Sequence, residues 1–239
     1  MRIAVLSDMH AVAGTYRAAL RAAEAEGFDA LVILGDLLTY GVDPREVIEL
    51  TDEALARHRG VLVLGNHDQM YLDRRQGRTA YLDALPDWIR ETVDWTCEET
   101  DDARALAEFA WTQEWVNGRA LIAHANPYAP GDWRYLAARE DAKAAGAAIA
   151  DRGLRWGIFG HTHRFRRFDE GDLSVFTLGS LGQPRDPLGT PEWAMVELSG
   201  DRIKVSRRRI PMDREAHRSA IQATSMSPAT KDRLCAFFP

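Results

Sequence analysis

Apolar residues along the chain gather into short unbroken runs separated by polar turns. Eight runs rich in Val, Ile and Leu predict strands over residues 2–6, 30–34, 60–64, 120–123, 156–159, 174–177, 193–198 and 203–206. Strands without polar alternation are apolar on both faces, the pattern of a sheet covered on both sides. Between the first two runs, Tyr16, Ala19, Leu20 and Ala23 recur at helical spacing over residues 14–26. Asp43-Pro44 opens a second helix, with Asp43 as N-cap, Pro44 in the first turn and Val47, Ile48, Leu50 and Leu55 as its apolar stripe. An Ala-rich helix over 142–149 precedes the strand at 156. Strands alternating with helices imply right-handed crossovers and a layered α/β core.

The alternation stops over residues 69–118, where no strand pattern is visible. This interval holds Trp88, Trp95, Trp111 and Trp115 and shows helical spacing over 103–116, so it reads as a helical insertion covering one edge of the core. Its acidic run Glu98-Glu99-Thr100-Asp101-Asp102 reads as a helix start. Residues 207–239 form a mixed C-terminal tail to what is otherwise one domain over 1–239. Its Arg207-Arg208-Arg209 run has no interleaved aromatic residues and reads as a solvated strand end, with nucleic acid not indicated.

Composition adds exclusions. The 239 residues are 46% hydrophobic and 28% charged, which rules out disorder as the main theme, and the net charge of −6 gives no general attraction for nucleic acid or anionic membranes. A local basic patch is compatible with that total. Cys97 and Cys235 lack metal-site or disulfide-framework spacing and read as free thiols. The first apolar run is too short for a signal peptide, and no run approaches the roughly 18 residues of a spanning helix, so a cytoplasmic protein is expected.

The informative residues follow the strand runs. Leu6 leads into Ser7-Asp8-Met9-His10, Leu34 into Gly35-Asp36, and Leu64 into Gly65-Asn66-His67-Asp68; Ala123 leads into His124, and Phe159 into Gly160-His161-Thr162-His163. Five of the seven histidines sit in these loops, and only His58 and His217 lie elsewhere. Singly, Asp8-x-His10 reads rather as a turn with a helix cap, Gly35-Asp36 as a strand exit and His124 as a satisfied core histidine; Gly65-Asn66-His67-Asp68 and Gly160-His161-Thr162-His163 are more specific, although each also reads as a polar turn. Ligands in open α/β sheets bind at the carboxyl ends of strands, so the five loops are expected to converge, and jointly they read as a metal site. Carboxylate, imidazole and amide donors without thiolate suit Mn²⁺, Fe²⁺, Zn²⁺ or Co²⁺. Seven candidate ligands, namely Asp8, His10, Asp36, Asn66, His124, His161 and His163, exceed what one ion takes, which points to two ions sharing a carboxylate.

This set of motifs resembles the calcineurin-like metallophosphoesterase superfamily, over residues 1 to about 198. The resemblance implies a four-layer α/β/β/α sandwich of two mixed sheets carrying a dimetal centre, with Mn²⁺ foremost and Fe, Zn, Co, Ni or Mg as alternatives. It puts Asp8, His10 and His163 on one ion, Asn66, His124 and His161 on the other, and Asp36 between them. A metal-bridging hydroxide would be the nucleophile. His67 would protonate the leaving oxygen or stabilise the transition state, and Asp68 would orient the His67 ring. The implied activity is hydrolysis of a small phosphoester, a nucleotide among the candidates, as a phosphodiesterase or phosphatase.

Departures narrow the resemblance. Protein phosphatases and symmetrical diadenosine tetraphosphatases continue the second motif as Gly-Asp-x-x-Asp-Arg-Gly, whereas here it runs Gly35-Asp36-Leu37-Leu38-Thr39-Tyr40-Gly41. That, and Gly179-Ser180-Leu181-Gly182-Gln183-Pro184-Arg185-Asp186, are similar to the small prokaryotic phosphodiesterase-like branch. His124-Ala125-Asn126-Pro127 departs from the His-Gly usual in that branch. Arg185 and Gln183 are candidate substrate contacts, against a structural turn with Arg185 paired to Asp186; Tyr71, Arg74, Arg75 and Arg78 are candidates to line the pocket, against a solvated basic face. A dinucleoside polyphosphate hydrolase or a protein phosphatase is the enzymatic alternative. A protein-binding scaffold on the same fold is the non-enzymatic one, although such scaffolds are expected to lose ligands that are all present here. The pattern leaves the oligomeric state open.

Overall fold

The unbroken apolar runs form strands that bury both faces. A computed structural model describes residues 1–238; Pro239, the last residue of the expected tail, lies outside the described residues. The chain starts β1 (Arg2–Leu6), α1 (Ala13–Glu26), β2 (Ala30–Ile33), α2 (Pro44–His58), β3 (Val61–Val63) and α3 (Asn66–Arg75). It continues through α4 (Ala80–Asp83), α5 (Asp87–Glu99), a 3₁₀ turn (Arg104–Glu108), β4 (Trp111–Thr112), β5 (Glu114–Asn117), β6 (Ala120–Ala123), α6 (Arg139–Asp151) and β7 (Trp156–Phe159). The remainder is β8 (Arg166–Glu170), β9 (Leu173–Thr177), β10 (Glu192–Ser199), β11 (Arg202–Arg209), α7 (Arg214–Ala223) and α8 (Pro228–Cys235).

The strands make two mixed sheets, ordered β11-β10-β1-β2-β3-β4 and β5-β6-β7-β9-β8. In the first, β1 to β4 run parallel while β10 and β11 are antiparallel additions. In the second, β6, β7 and β9 are parallel, flanked by antiparallel β5 and β8. Successive side chains leave a strand on opposite faces, so each run serves two cores. Ile3 and Val5 meet Val32 and Val63 from their own sheet and Ile122, Ile158 and Phe176 from the other. Ala4 and Leu6 turn outward with Leu31 and Ile33 onto Tyr16, Ala19 and Val47 of α1 and α2. Across the second sheet, Leu121, Phe159 and Val175 pack on Ala142, Ala145 and Ile149 of α6. The result is the expected α/β/β/α sandwich, and each fully buried Ile, Val or Leu contributes about 1.5–3 kcal/mol.

Several local expectations are corrected. Asp43 precedes α2 but does not cap it with its side chain; its carboxylate accepts the Ala13 N–H at 3.2 Å and ties α1 to α2. The run Glu98 to Asp102 is the end of α5 and its exit, with Asp101, Asp102 and Ala103 in left-handed turns, so the acidic cluster closes a helix. Residues 103–116 are not helical: beyond the 3₁₀ turn, β4 completes one sheet and β5 the other. Two short edge strands with mixed polarity carry too little periodicity to be seen in sequence. Strand β8 was hidden likewise, because Arg166-Arg167-Phe168-Asp169-Glu170 is charged at an exposed edge.

The C-terminal segment is also built into the core. Its first three residues, Arg207 to Arg209, belong to β11, and Ile221, Met226, Leu234 and Phe238 pack on Tyr40 and Trp95. Glu91 of α5 anchors this helical pair, accepting hydrogen bonds from Ser227 N, Ser227 Oγ and Thr230 Oγ1. Both cysteines are free and buried. No helix among the described residues is long and apolar enough to cross a membrane.

Glu91→Ala removes the shared acceptor of three donors at the start of α8. It is expected to cost about 1–3 kcal/mol in denaturant unfolding and to speed hydrogen exchange over residues 212–238 more than in β1 to β3; uniform exchange would show that the tail is not separately anchored.

Candidate metal centre

All five loops that follow apolar strands converge at one end of the sandwich. Asp8, His10, Asp36 and His163 offer ligand atoms within 4.8 Å of one another, as do Asp36, His124 and His161. Asp36 is common to both clusters. Every member is buried, with Asp8 and His10 at 0% exposure.

Backbone geometry turns these side chains inward. Asp8, His10, Asp36, His161 and His163 all have positive φ, between 45° and 60°, a region costly for non-glycine residues and one that concentrates at functional sites. Two glycines permit the close approach. A Cβ at Gly65 would collide with the Asp36 carboxylate, and one at Gly160 with Ser7 Oγ and, at 2.8 Å, with Asp8 Oδ2.

Each imidazole is oriented by a carbonyl, which can only accept, so the bonded nitrogen must carry the proton. His10 Nδ1 donates to Leu38 O at 3.1 Å, His163 Nδ1 to Gln183 O at 2.7 Å, and His124 Nδ1 to Leu34 O. His161 is reversed, with Nε2 donating to Trp133 O at 2.9 Å. The opposite nitrogens are left for the cluster. His10 Nε2 and His163 Nε2 lie 3.1 Å apart, and His163 Nε2 lies 3.2 Å from Asp8 Oδ1, an oxygen that accepts no hydrogen bond among the described residues. His124 Nε2 is 3.2 Å from Asn66 Oδ1 and 3.4 Å from Asp36 Oδ2. Buried lone pairs aimed at one another repel unless a cation or proton lies between them, and carbonyl-held imidazoles beside carboxylates are the donor set of a divalent metal. The residues therefore fit two metal ions.

The electrostatics of the metal-free chain agree. Burial pushes the Asp36 carboxyl up, but the imidazoles of His124, His67 and His10 outweigh it and hold Asp36 well below the usual carboxylate range. Asp8 is likewise held low, against burial, by His163 and His124. Burial lowers His124, yet Asp36 and Asp8 raise it to about 10, so a proton on His124 takes the place of a cation. Burial depresses His10, and burial with His124 nearby brings His161 down to about 3, leaving both rings neutral, as ligands must be.

His67 stands beside the clusters, its ring centroid 5.1 Å from that of His10. Its Nδ1 is 3.1 Å from Thr39 Oγ1 and its Nε2 3.3 Å from the Tyr40 hydroxyl. Burial lowers its pKa, so the ring is neutral. Asp68 does not orient this ring as expected. It accepts backbone N–H groups from Asp36 at 2.6 Å, Leu37 at 2.9 Å and Gly65 at 3.0 Å, because its place in the first turn of α3 faces the Asp36 loop. Burial and the Asp36 charge push Asp68 up to about 7 against those donors.

Other expected pocket residues are placed elsewhere. Tyr71 is buried against Thr39, its hydroxyl 3.0 Å from Thr39 Oγ1. Arg74 pairs with Asp94, Arg75 donates to Asp102 O, and Arg78 pairs with Asp73. Gln183 is fully buried, and its Oε1 accepts from Arg185 Nη2 at 2.9 Å; Arg185 does not pair with Asp186, whose Oδ1 accepts from Thr190 N. Gln183 thus holds His163 through its carbonyl and Arg185 through its side chain.

Sequence reasoning missed the aromatic and amide supports. Tyr135, 48% exposed, stacks on His161 at 4.1 Å, and Tyr81 lies beside Asn66. Asn126, at the departure from His-Gly, donates to Asp132 O and Arg134 O and accepts from Tyr128 N, folding the loop that brings Trp133 O and Tyr135 to His161. The polar loop around Asn126 carries no periodicity, so only its unusual tetrapeptide was a signal.

Asp68→Asn must set an amide N–H₂ against a backbone N–H. It is expected to lower unfolding free energy by about 1–3 kcal/mol; wild-type stability would return Asp68 to a role on the His67 ring.

A relative from Methanocaldococcus jannaschii, an uncharacterised protein, is 26% identical over 227 residues, covering 86% of each chain. Among solved structures, a metallophosphoesterase from Sphaerobacter thermophilus superposes with a TM-score of 0.76 at 22% identity, over 99% of this chain and 100% of the other. A hypothetical protein from Pyrococcus horikoshii OT3 gives a TM-score of 0.82 at 19% identity, over 98% and 97%. The calcineurin-like phosphoesterase superfamily domain model matches residues 1–201, a stretch that includes every converging loop, and the chain belongs to that superfamily of hydrolases acting on phosphoester bonds.

Proposed function

We propose that the chain hydrolyses a small phosphoester, as a phosphodiesterase or phosphatase, with two divalent ions held by the converging loops. The observation that carries this reading is the pair of ligand clusters sharing Asp36 beside a neutral, non-ligand His67. Asp8, His10 and His163 would hold one ion, and Asn66, His124 and His161 the other, with Asp36 serving both. When bound, such ions supply a water ionised near neutral pH and positive charge for the phosphoryl oxygens. The thiolate-free donor set suits Mn²⁺, Fe²⁺, Zn²⁺ or Co²⁺, of which the family resemblance puts Mn²⁺ foremost.

The chain's own residues do the rest. Thr39 Oγ1 engages His67 Nδ1, so Nε2, touching only the Tyr40 hydroxyl, is the nitrogen left to meet the leaving oxygen. A neutral imidazole there donates an N–H to that oxygen as charge builds on it, and transfers the proton as the bond breaks. Asp68 acts one step back, holding the Asp36 turn in place. Arg185, held by Gln183, would meet a non-bridging phosphoryl oxygen.

Testing needs a metal-by-substrate matrix: Mn²⁺, Zn²⁺, Mg²⁺ and Co²⁺ against a generic phosphodiester, a phosphomonoester and diadenosine tetraphosphate. Turnover of one class with one or more metals is expected; failure on every substrate would favour the scaffold reading. His67→Ala is expected to lower kcat by roughly 10²-fold or more with metal content unchanged, and near-normal turnover would remove His67 from the reaction. Asp36→Asn is expected to lose metal and activity together, which metal analysis and the same assay would show; an active variant holding two ions contradicts the shared-ligand assignment.

A further inference from the structure

Beside the metal centre lies a cavity of about 640 Å³, and of its cations only Arg185 has a role above. It opens between the start of β8, the end of β11 and the loop that follows Gln183. Arg164, Arg166, Arg185, Arg207 and Arg209 line it, with Asp186 as its one acidic residue. In a chain of net charge −6, this is a strong local reversal.

The arginines differ in what already holds them. Arg207 is spent on the buried Glu192, at 2.5 and 2.8 Å, and Arg166 donates to Ala137 O at 2.6 Å. Arg185 is anchored by an uncharged acceptor, Gln183 Oε1. Arg164 and Arg209 are exposed, and among the described residues no carboxylate lies within ion-pair distance of Arg164, Arg185 or Arg209. Cations without carboxylate partners gathered around a hollow form a site for an anion, and guanidinium forks suit phosphate best.

The cavity is joined to the metal centre by the chain itself. Arg164 directly follows His163, and the Arg185 N–H donates to His163 O at 3.2 Å. Phe165, under the Arg207 guanidinium at 5.0 Å, and the exposed Leu188 add an apolar wall. We propose that this cavity is a second phosphate site, which takes a phosphomonoester or diphosphate group in addition to the phosphoester that is cleaved. That this second group belongs to the substrate rests on the hydrolase reading above; that the cavity binds phosphate does not.

The test has a binding arm and a kinetic arm. Inorganic pyrophosphate is titrated calorimetrically into the metal-free protein at low salt, in wild type, Arg164→Ala/Arg209→Ala and Arg164→Lys/Arg209→Lys. Binding to wild type is expected, about ten-fold or more weaker in the alanine pair and largely restored in the lysine pair. No binding to wild type, or equal affinity in the alanine pair, overturns the site. With Mn²⁺ loaded, hydrolysis of the dinucleotide ApA is compared with that of its 5′-phosphorylated form pApA. A KM increase of about ten-fold in the alanine pair for pApA alone assigns the site to the substrate's own second phosphate. Unchanged kinetics on both, with pyrophosphate binding lost, assigns it to a free phosphate ligand. Equal loss on both substrates contradicts a separate site. If neither dinucleotide is cleaved by wild type, the hydrolase reading fails on this substrate class while the titration still decides the cavity.

Discussion

The structure is organised around one buried carboxylate. Asp36 is 1% exposed and stands between two sets of imidazoles, an arrangement that costs several kcal/mol unless positive charge accompanies it. The surrounding chain is arranged to meet that demand. Asp68 grips the Asp36 turn through backbone N–H groups, the His67 backbone N–H donates to Asp36 Oδ1, and Gly65 leaves room for the carboxylate. The Leu34 and Leu38 carbonyls of its own loop, with those of Gln183 and Trp133 from two other loops, set the tautomers of the rings around it. In the metal-free chain the His124 proton compensates the charge; bound cations would do so more fully.

This constraint reaches far from the centre. The C-terminal helices pack Phe237 against Tyr40, whose ring is also stacked on Trp88 and whose hydroxyl lies beside His67. A segment that reads as an appendage in sequence therefore supports His67 through Tyr40. On the opposite side, Asn126 folds a loop that presents Trp133 O to His161. The cavity lined by Arg164 and Arg209 continues from the third side, through the residue after His163.

Much of the sandwich was legible because its strands are apolar on both faces, so β1, β6 and β7 show as unbroken runs of matching length. What stayed hidden were edge strands that each pack a single aromatic residue, Trp111, Trp115 or Phe168, on a core. Strands β4, β5 and β8 lie at edges where polar and charged side chains face solvent, and their backbone hydrogen bonds leave no mark in composition. The same holds for the site. Asp8, His10, Asp36, Asn66, His124, His161 and His163 were readable as donors at strand ends, whereas the partner of Asp68 was not, since a carboxylate next to a histidine in sequence need not face it.

The sequence by itself determined the layered α/β class, the loops that carry chemistry and the donor types available, because hydrophobic periodicity and residue chemistry are local properties. Tertiary structure alone decided which lone pairs meet, that Asp36 belongs to both clusters, that Asp68 serves the backbone, and that Arg164, Arg185 and Arg209 border one hollow. Those outcomes depend on distances between residues far apart in the chain, set by how two sheets pack and how left-handed turns aim the side chains that leave them.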